Sequence, residues 1–545
     1  MKKYVFDFLR MLFCSLVILF FLMLPEIIFG FIRPHLAVCW NSDKLGMLFL
    51  LSFLLSTVKS KKMFVWFLIV FGLLQVVQFC SMAYFGVYLT PYAIDFIFLE
   101  TGDIMTEIKD VWYKYLYVFA LVGVPYFILG YIVARDFLNR VSFKYGWILP
   151  AVYFAGFFYR ASTPDGIFQM LFKNTCYASF NTVNSFSAYL GNILPRKLAG
   201  YEHKETFPDY KLTNIAKLTN IATDTKKPVN IIFVVGESIN ANHMSLFGYH
   251  RETTPELEKY AARDPFFVYK KAWASGVNTL ISLPMIYNIQ VNPKNYRKLV
   301  TRDSYLFEMA QNNGFKVTYI EAQNASLFKK TSLSHYDRAF VYSSADGEKL
   351  KGESGFLDGV FEQIDLTGRN LIIVHKRNVH SPYNDNYMFE EEKYKIFKDS
   401  NVDERINEYD SAMLYEDMLL MKILDFARSS GQETYFFYLS DHGEALGQNG
   451  IWGHGHLDPA DLEVPFMFTM FNVQDEDFLA RLKALDRPCT HDVSLLVAEK
   501  LGWKVEIPGE DLNICQVNGR DTMGRAGILK IIKKPDGTAD FKLEQ

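Results

Sequence analysis

The sequence lacks an excess of basic residues and contains no CxxC pair. Its 57 lysines and arginines are balanced by 60 aspartates and glutamates, so the formal net charge is −3. This balance argues against a nucleic-acid-binding protein, because such proteins normally carry a basic surface. The six cysteines are scattered, which argues against a cysteine-based zinc or redox site. Cys489 and Cys515 could pair in an oxidising compartment, and the sequence leaves that pairing open.

Long apolar runs are frequent near the N-terminus. Hydrophobic residues make up 50% of the 545 residues, which is rich for a soluble protein and lean for one wholly embedded in a membrane. A chain of this length exceeds one compact domain. Because about 20 apolar residues cross a bilayer, the runs predict a transmembrane domain over residues 1–165. Its five spans are expected near residues 11–31, 37–58, 63–84, 114–134 and 146–162.

Basic loops predict the orientation of these spans. Lys2 and Lys3 precede the first span, and the basic segments 59–62 and 135–144 follow the second and the fourth. These segments face the cytoplasm by the positive-inside rule, and the acidic segment 98–110 then faces outward. Five spans satisfy every loop and place the C-terminal half outside the cytoplasmic membrane. The second span has a short apolar part, and a re-entrant segment is the alternative there.

The middle of the chain is predicted to connect two domains. Residues 166–227 form this connector and linker, and residues 167–194 mix aromatic and polar side chains. That mixture is typical of an amphipathic helix lying on the membrane surface, with an ordinary packed helix as the alternative. Over residues 228–545, short apolar runs alternate with helical stretches, which predicts an α/β layered domain. Continuous apolar runs suit parallel strands buried on both faces, and the predicted strands are residues 229–235, 315–320, 370–375, 434–440 and 464–471.

Polar clusters follow several of these predicted strands. Glu237 follows the first, and Asp441 and His442 follow TYFFYLS, residues 434–440. In α/β sheets, sites form outside the carboxyl ends of the strands. Two carboxylates and an imidazole are ligand types that zinc accepts, so the pattern predicts a metal site. Taken singly, each residue is more often part of an ordinary polar turn.

Thr279, in WASGVNTLISLP (residues 273–284), is the candidate nucleophile. It follows small residues and precedes a predicted helix, whose N-terminus favours phosphate. A threonine hydroxyl attacks poorly unless its pKa is lowered, and zinc coordination would lower it. A plain helix cap is the alternative reading of this stretch.

GESINANHMSLFGYHRETTPELEKY, residues 236–260, closely resembles the signature of the bacterial envelope phosphoethanolamine transferases. This group of the alkaline phosphatase superfamily includes the colistin-resistance enzymes. The resemblance continues in the same order through residues 275–284, 374–383, 407–417, 440–455 and 464–468. It covers nearly the whole chain. It implies a five-helix transmembrane domain followed by a periplasmic α/β/α domain of alkaline-phosphatase or sulfatase type, with a mainly parallel sheet.

The resemblance also implies roles for particular residues. It makes Glu237, Thr279, Asp441 and His442 the ligands of one tight zinc ion, with Thr279 also the nucleophile. His380 and His454 would hold the transferred phosphoryl group or a second zinc ion used during turnover. Further substrate contacts or supporting groups, matched more loosely, are Glu444, Lys329, Lys330, Glu100 and Thr101.

The implied reaction is a two-step transfer by a monomeric zinc enzyme of the bacterial inner membrane. Phosphatidylethanolamine would give its headgroup to Thr279, and lipid A, core oligosaccharide or another envelope glycan would then accept it, as in polymyxin resistance. One departure is that the family often has cysteines where this chain has Ser275 and Met285, so packing must hold Thr279.

Two alternatives stay open. A synthase of the lipoteichoic type would move glycerol phosphate from phosphatidylglycerol, and a non-catalytic envelope scaffold would keep the fold alone. A sulfatase is disfavoured because the Cys/Ser-x-Pro-x-Arg nucleophile motif is absent around Thr279.

Overall fold

Apolar helices build the N-terminal part of the chain, and alternating strands and helices build the C-terminal part. In the computed structural model these parts are two units, Met1–Asp209 and Tyr210–Gln545. The structure describes residues 2–32, 41–85, 88–91, 94, 112–163, 166, 170, 177–199, 216–222, 224, 226–294, 303–323, 335–342, 352–390, 396–448, 451–519, 527–534 and 538–544.

The N-terminal unit has a helix at each of the five predicted span positions. They are α1 (Lys2–Ile32), α2 (Ser42–Ser56), α3 (Lys61–Phe85), α4 (Leu116–Ala134) and α5 (Ile148–Ser162). Among the described residues, three helices are long and apolar enough to cross a membrane, namely α1, α3 and α4. Helices α2 and α5 have 15 residues each, about 22 Å of helix against about 30 Å of hydrocarbon. Their crossing therefore stays a prediction.

The described part of the connector is a packed helix. Helix α6 (Ala178–Ala188) continues through a π-helical turn, Tyr189–Ile193, into α7 (Leu194–Leu198). All but one residue of α6 are buried. Its polar groups bond to other helices, since Glu26 Oε2 accepts from the Ala178 amide at 2.9 Å and Gln78 Oε1 accepts from Asn181 Nδ2 at 2.9 Å. For α6 this burial supports the alternative of an ordinary packed helix, because protein groups rather than water satisfy its polar side chains. A position of the connector at the membrane surface stays a prediction.

The C-terminal unit is built on a seven-stranded sheet in the order β3-β10-β7-β2-β6-β4-β5. The strands are β2 (Val229–Gly236), β3 (Val268–Trp273), β4 (Lys316–Glu321), β5 (Arg338–Val341), β6 (Arg369–His375), β7 (Thr434–Ser440) and β10 (Glu463–Phe471). From β7 to β5 all neighbouring strands are parallel, as predicted. Strand β10 runs antiparallel to both of its neighbours, so its apolar run reflects burial on both faces and not a parallel direction.

Helices cover both faces of this sheet and complete an α/β/α arrangement. Alternate residues of β2 point to opposite faces: Ile231, Phe233 and Val235 join one apolar cluster, whereas Ile232 and Val234 join another. The first cluster includes residues of α9 (Thr279–Tyr287), α10 (Leu306–Asn312), α13 (Glu476–Ala484) and α14 (Thr490–Lys500). The second includes residues of α8 (Pro255–Arg263), α11 (Gly352–Phe361) and α12 (Glu404–Ser429).

Smaller sheets complete the unit. A three-stranded antiparallel sheet comprises β12 (Ile514–Asn518), β13 (Ile528–Lys533) and β14 (Ala539–Glu544). Two-stranded pairs join β1 (Lys217–Asn220) to β11 (Trp503–Glu506) and β8 (Ala445–Leu446) to β9 (Trp452–Gly453). A disulfide joins Cys489 to Cys515, which answers the pairing question that the sequence left open.

Candidate active site

The site forms where four parallel strands end at one edge of the large sheet. Gly236, the last residue of β2, pairs with Ser440, the last residue of β7. Val235 pairs with His375 at the end of β6, and His375 in turn pairs with Glu321 at the end of β4. This register brings the residues that follow β2 and β7 next to the final residues of β4 and β6.

The four predicted metal ligands meet at this edge. The Thr279 hydroxyl donates to Glu237 Oε2 at 2.9 Å, and Thr279 Oγ1 lies 3.3 Å from His442 Nε2. His442 Nε2 lies 3.2 Å from Glu237 Oε1 and 3.5 Å from Asp441 Oδ2. All four residues are buried, and Thr279 retains 8% exposure. An oxygen of each carboxylate, the imidazole and the hydroxyl therefore surround one small volume.

Tight turns aim these side chains. Ser238 adopts a positive φ of 58°, an uncommon conformation for a residue with a side chain, and it turns the chain directly after Glu237. At Gly236 a Cβ atom would collide with the hydroxyl of the buried Tyr438, so the close approach of the backbone requires glycine. His442 Nδ1 donates to the Gly443 carbonyl at 2.8 Å, which turns Nε2 toward Thr279.

Thr279 is the first residue of α9, one position further into the helix than the sequence predicts. Asn278 caps the helix, because its side chain accepts from the Ile281 amide at 3.1 Å. As the first two residues of the helix, Thr279 and Leu280 have amides without an acceptor inside the helix. Unpaired amides at a helix N-terminus attract anions, so they suit a phosphoryl group held at Thr279.

The ionisable groups favour a positive charge in this volume. Burial alone would raise the pKa of Glu237, but the imidazoles of His442 and His375 hold it well below its usual range. Burial alone would lower the pKa of His442, but the carboxylates of Asp441 and Glu237 raise it to about 10. Burial and the charge of Glu237 raise the pKa of Asp441 to about 7. A bound cation would satisfy both carboxylates at once.

The donor set fits a zinc ion. Asp441 Oδ2 is buried and, among the described residues, has no hydrogen-bond donor, as a carboxylate oxygen meant for a cation would. Oxygen and imidazole donors are ligand types that zinc takes. Glu237, His375 and Asp441 also form a group whose donor atoms all lie within 4.8 Å of one another, and His442, Glu444 and His454 form another.

The other predicted histidines line the same place. His454 Nδ1 lies 3.0 Å from Glu444 Oε2, and the Tyr383 hydroxyl donates to Glu444 Oε1 at 2.6 Å. The His454 ring centroid lies 4.6 Å from that of His442 and 5.9 Å from that of His380. His380 Nδ1 contacts the carbonyl of Ser381, which fixes the orientation of its ring. Glu444 is buried, and burial raises its pKa to about 7.

Three site residues were not predicted from the sequence. His375 Nδ1 lies 2.9 Å from Glu321 Oε1, and His375 Nε2 lies 3.8 Å from Glu237 Oε2. Gln323 Nε2 donates to Glu237 Oε2 and lies 3.3 Å from His375 Nε2. His375 and Glu321 are the last residues of their strands, so the strand-end rule that indicated Glu237 also applied to them.

Four other predicted substrate residues, Glu100, Thr101, Lys329 and Lys330, lie outside the described residues.

Comparisons with known proteins bear on the fold and on the family of the C-terminal unit. The sulfatase family profile matches residues 229–476. Phosphoethanolamine transferase EptA of Salmonella typhimurium is 27% identical over 237 residues, which are 41% of this chain and 42% of the relative. Phosphatidylethanolamine transferase Mcr-1 of Escherichia coli is 27% identical over 311 residues, which are 51% of this chain and 56% of the relative. The chain thus spans about half the length of the curated relatives it matches.

A solved structure shares the fold over most of the chain. It is the integral membrane lipooligosaccharide phosphoethanolamine transferase A (EptA) from Neisseria meningitidis, with a TM-score of 0.51 and 19% identity. The likeness covers 91% of this chain and 95% of that one. At this identity it shows the fold alone. Residues 229–476 thus match the sulfatase family profile, in a chain whose curated relatives include phosphoethanolamine transferases.

Proposed function

We propose that this chain transfers phosphoethanolamine from phosphatidylethanolamine to an envelope glycolipid, through a covalent intermediate on Thr279. The observation that carries the proposal is the position of Thr279 Oγ1 at a helix N-terminus, 2.9 Å from Glu237 and 3.3 Å from His442. The names of the curated relatives supply the group transferred, phosphoethanolamine.

Glu237, Thr279, Asp441 and His442 would hold one zinc ion. When bound, zinc lowers the pKa of a coordinated hydroxyl and neutralises charge on phosphoryl oxygens. His442, Glu444 and His454 are the group available for a second ion during turnover. The protein contributes a fixed orientation of each donor, since Ser238 bonds to Glu237 Oε1 at 2.8 Å and His442 is bonded at Nδ1.

In the first step, the Thr279 hydroxyl releases its proton to solvent, and its oxygen attacks the phosphorus of phosphatidylethanolamine. The bond between phosphorus and the diacylglycerol oxygen breaks, and that oxygen takes a proton as diacylglycerol leaves. His454 is the group that we assign to this proton transfer, because Glu444 holds its Nδ1 and orients the ring in the site. The amides of Thr279 and Leu280, at the N-terminus of α9, would stabilise the negative charge on the phosphoryl oxygens.

In the second step, an acceptor oxygen on the glycolipid attacks the same phosphorus. The bond between phosphorus and Thr279 breaks, the threonine regains its proton, and the acceptor keeps the phosphoethanolamine group. His380, whose ring lies 5.9 Å from His454, is the second imidazole available for the proton lost by the acceptor.

The membrane helices fit substrates of this kind. Donor and acceptor are both lipids or lipid-linked, and a soluble enzyme would have to extract them from the bilayer. The three long apolar helices would instead keep the catalytic unit at the membrane surface. We therefore propose a monomer in the bacterial inner membrane with its catalytic unit in the periplasm.

Mass spectrometry of lipid A and core oligosaccharide tests the proposal. Cells would express the native chain or Thr279→Ala, and Thr367→Ala, on the exposed turn before β6, serves as a matched control. We expect a gain of phosphoethanolamine with the native chain and the control but not with Thr279→Ala. A gain that survives Thr279→Ala would refute the covalent route, and no gain on any envelope glycan would favour the scaffold.

A labelled-donor experiment separates the two enzyme alternatives. Purified chain would receive phosphatidylethanolamine or phosphatidylglycerol with a labelled headgroup. We expect transfer from the first lipid only. Transfer of glycerol phosphate would identify a synthase of the lipoteichoic type instead.

A further inference from the structure

The segment before Thr279 is held by residues far away in sequence. Residues 273–279, called here the nucleophile segment, connect the end of β3 to the start of α9, and residues 273–277 are buried. The Trp273 amide donates to the Pro488 carbonyl at 2.9 Å, and the Ala274 amide donates to the Leu462 carbonyl at 3.0 Å. Trp273 and Ala274, at the start of the nucleophile segment, are therefore held by hydrogen bonds to residues outside β3 and α9.

Ser275, the next residue, forms hydrogen bonds through both its amide and its carbonyl. The Ser275 amide donates to Thr490 Oγ1 at 3.0 Å, and the Ser275 carbonyl accepts from the Asn518 amide at 2.7 Å. Thr490 opens helix α14, whereas Asn518 ends strand β12 of the small C-terminal sheet. The nucleophile segment thus lies between these two elements.

A covalent bond ties those two elements together. Cys489, directly before α14, forms the disulfide with Cys515 of β12. Lys533 of β13 adds an ion pair with Asp492 of α14 at 3.1 Å. Around the disulfide, one apolar cluster joins the nucleophile segment to both elements through Trp273, Val277, Leu462, Cys489, Cys515, Val517, Leu529 and Ile531.

The segment also has little room to move toward its helix. At Gly276 a Cβ atom would lie 2.6 Å from Ser282 Oγ and 2.9 Å from Ile281 Cγ2. The backbone therefore already touches the first turn of α9. A shift of α14 or β12 would therefore also displace Thr279, the first residue of α9.

We infer that the turn before α14, strand β12 and the Cys489–Cys515 disulfide act as a clamp that positions Thr279 for phosphoryl transfer. The clamp residues touch no reacting atom, so they are positioning residues. The inference rests on the proposed function, because positioning has a consequence only if Thr279 is the nucleophile. A displacement of about 1 Å at a reacting group can cost about a hundredfold in rate, which is the physical reason to hold this segment so firmly.

The first test compares cysteine variants of the full chain in detergent, with phosphatidylethanolamine as donor. Cys489→Ala/Cys515→Ala removes the disulfide, and Cys14→Ala/Cys80→Ala, which alters two free thiols of the other unit, is the matched control. We expect the clamp variant to lose about tenfold or more in kcat with KM nearly unchanged, since a misplaced nucleophile affects the transition state and not donor binding. The control should match the native chain.

A second pair of variants leaves the disulfide intact. Asn518→Pro removes the amide that bonds to Ser275, whereas Asn518→Ala keeps it. We expect a loss in kcat for the proline variant and near-native kcat for the alanine variant. Native kcat in both the clamp variant and Asn518→Pro would overturn the inference, and so would a loss confined to KM.

Hydrogen exchange of the same proteins separates this inference from the proposed function. We expect the peptide covering residues 273–282 to exchange faster in both disrupted variants, with β2 unchanged as the internal reference. If the native chain transfers nothing, the proposed function fails while this exchange result still decides whether the clamp holds the segment. Unchanged exchange at residues 273–282 would show that the clamp does not hold it.

Discussion

At the scale of single residues, Glu237 is where the contacts of the site converge. It receives hydrogen bonds from Thr279 and Gln323. His375 Nε2 lies 3.8 Å from Glu237 Oε2, and the other ring nitrogen of His375 contacts Glu321. A carboxylate behind a histidine orients the ring. We therefore regard Glu321 and His375 as the support that keeps Glu237 in place for a cation.

Glu321→Gln should weaken zinc binding. The neutral amide holds His375 less firmly, so Glu237 loses a fixed neighbour, and loss of such outer contacts typically lowers metal affinity about tenfold to a hundredfold. Competition with a chelating dye would measure the zinc affinity of the full chain in detergent. Glu362→Gln, on an exposed surface, is the control. An affinity equal to that of the control would contradict the supporting role.

Asp461→Asn should change how stability depends on pH. Asp461 is buried, and burial with the nearby charge of Glu444 raises its pKa to about 8, whereas the unfolded chain releases this proton near about pH 4. The folded chain therefore binds the proton more tightly between these values, and the free energy of unfolding falls as pH rises, by at most about 1.4 kcal/mol per pH unit.

Thermal unfolding at a series of pH values would show this effect. We expect Asp461→Asn to have a higher Tm than the native chain at about pH 8 and an equal Tm at about pH 4. A Tm difference that does not vary with pH would mean that the charge of Asp461 is not the cause.

The predicted ligands could be recognised from the sequence because each stands just beyond a visible boundary. Glu237 and Asp441 end apolar runs, and Thr279 precedes a helical run. Glu321 directly follows the run 315–320 and His375 ends the run 370–375, so both stood at the same kind of boundary and were nevertheless not predicted. The contact of Gln323 with Glu237 depends on the register between β2, β6 and β4, which no local pattern reveals.

At the scale of elements, the loop after β6 is anchored by a buried ion cluster. Lys376 Nζ lies 2.6 Å from Glu416 and 3.4 Å from Glu353, and all three side chains are buried. The Asn378 amide donates to Glu353 at 3.0 Å, and Asn378 Nδ2 donates to Glu416 at 3.0 Å. Because this loop carries His380, the cluster connects helices α11 and α12 to the site.

Lys376→Met should destabilise the unit strongly. It leaves Glu416 and Glu353 buried without their cation, and breaking a buried pair in this way typically costs about 3–5 kcal/mol. Tm and transfer rate would both be measured, with Lys259→Met on an exposed surface as the control. We expect Lys376→Met/Glu416→Gln to recover part of the lost Tm. A double variant less stable than the single one would argue against this account of the cluster.

The central strands could be predicted from the sequence, and the edges could not. All five predicted runs became strands of the large sheet, because burial on both faces leaves a continuous apolar signal. The edge strands β3 and β5 have exposed or half-buried positions and lack that signal. The three-stranded C-terminal sheet was also missed, since β14 is largely exposed and reads as polar sequence.

At the scale of the whole molecule, the number of spans decides on which side of the membrane the catalytic unit lies. Within the described part of the N-terminal unit there are three long helices, and two short ones occupy the other predicted positions. Sequence could indicate the positions because apolar composition is local. It could not settle whether the 15-residue helices cross, because that depends on helix length and bilayer thickness together.

Reporter fusions would settle the orientation. A fluorescent protein that matures only in the cytoplasm would be fused after Ser60, in the basic loop between α2 and α3, and after Gln545. We expect fluorescence from the first fusion and none from the second, as an odd number of spans requires. Fluorescence from both would place the catalytic unit in the cytoplasm, away from any envelope glycan.

The most direct measurement is the mass of the peptide that carries Thr279 after reaction with the donor alone. Purified chain would be incubated with zinc and isotope-labelled phosphatidylethanolamine, without acceptor, then digested and analysed by mass spectrometry. We predict one labelled phosphoethanolamine group on Thr279, which disappears when glycolipid acceptor is added. A label on a different residue, or transfer to acceptor at the native rate by Thr279→Ala, would contradict the account.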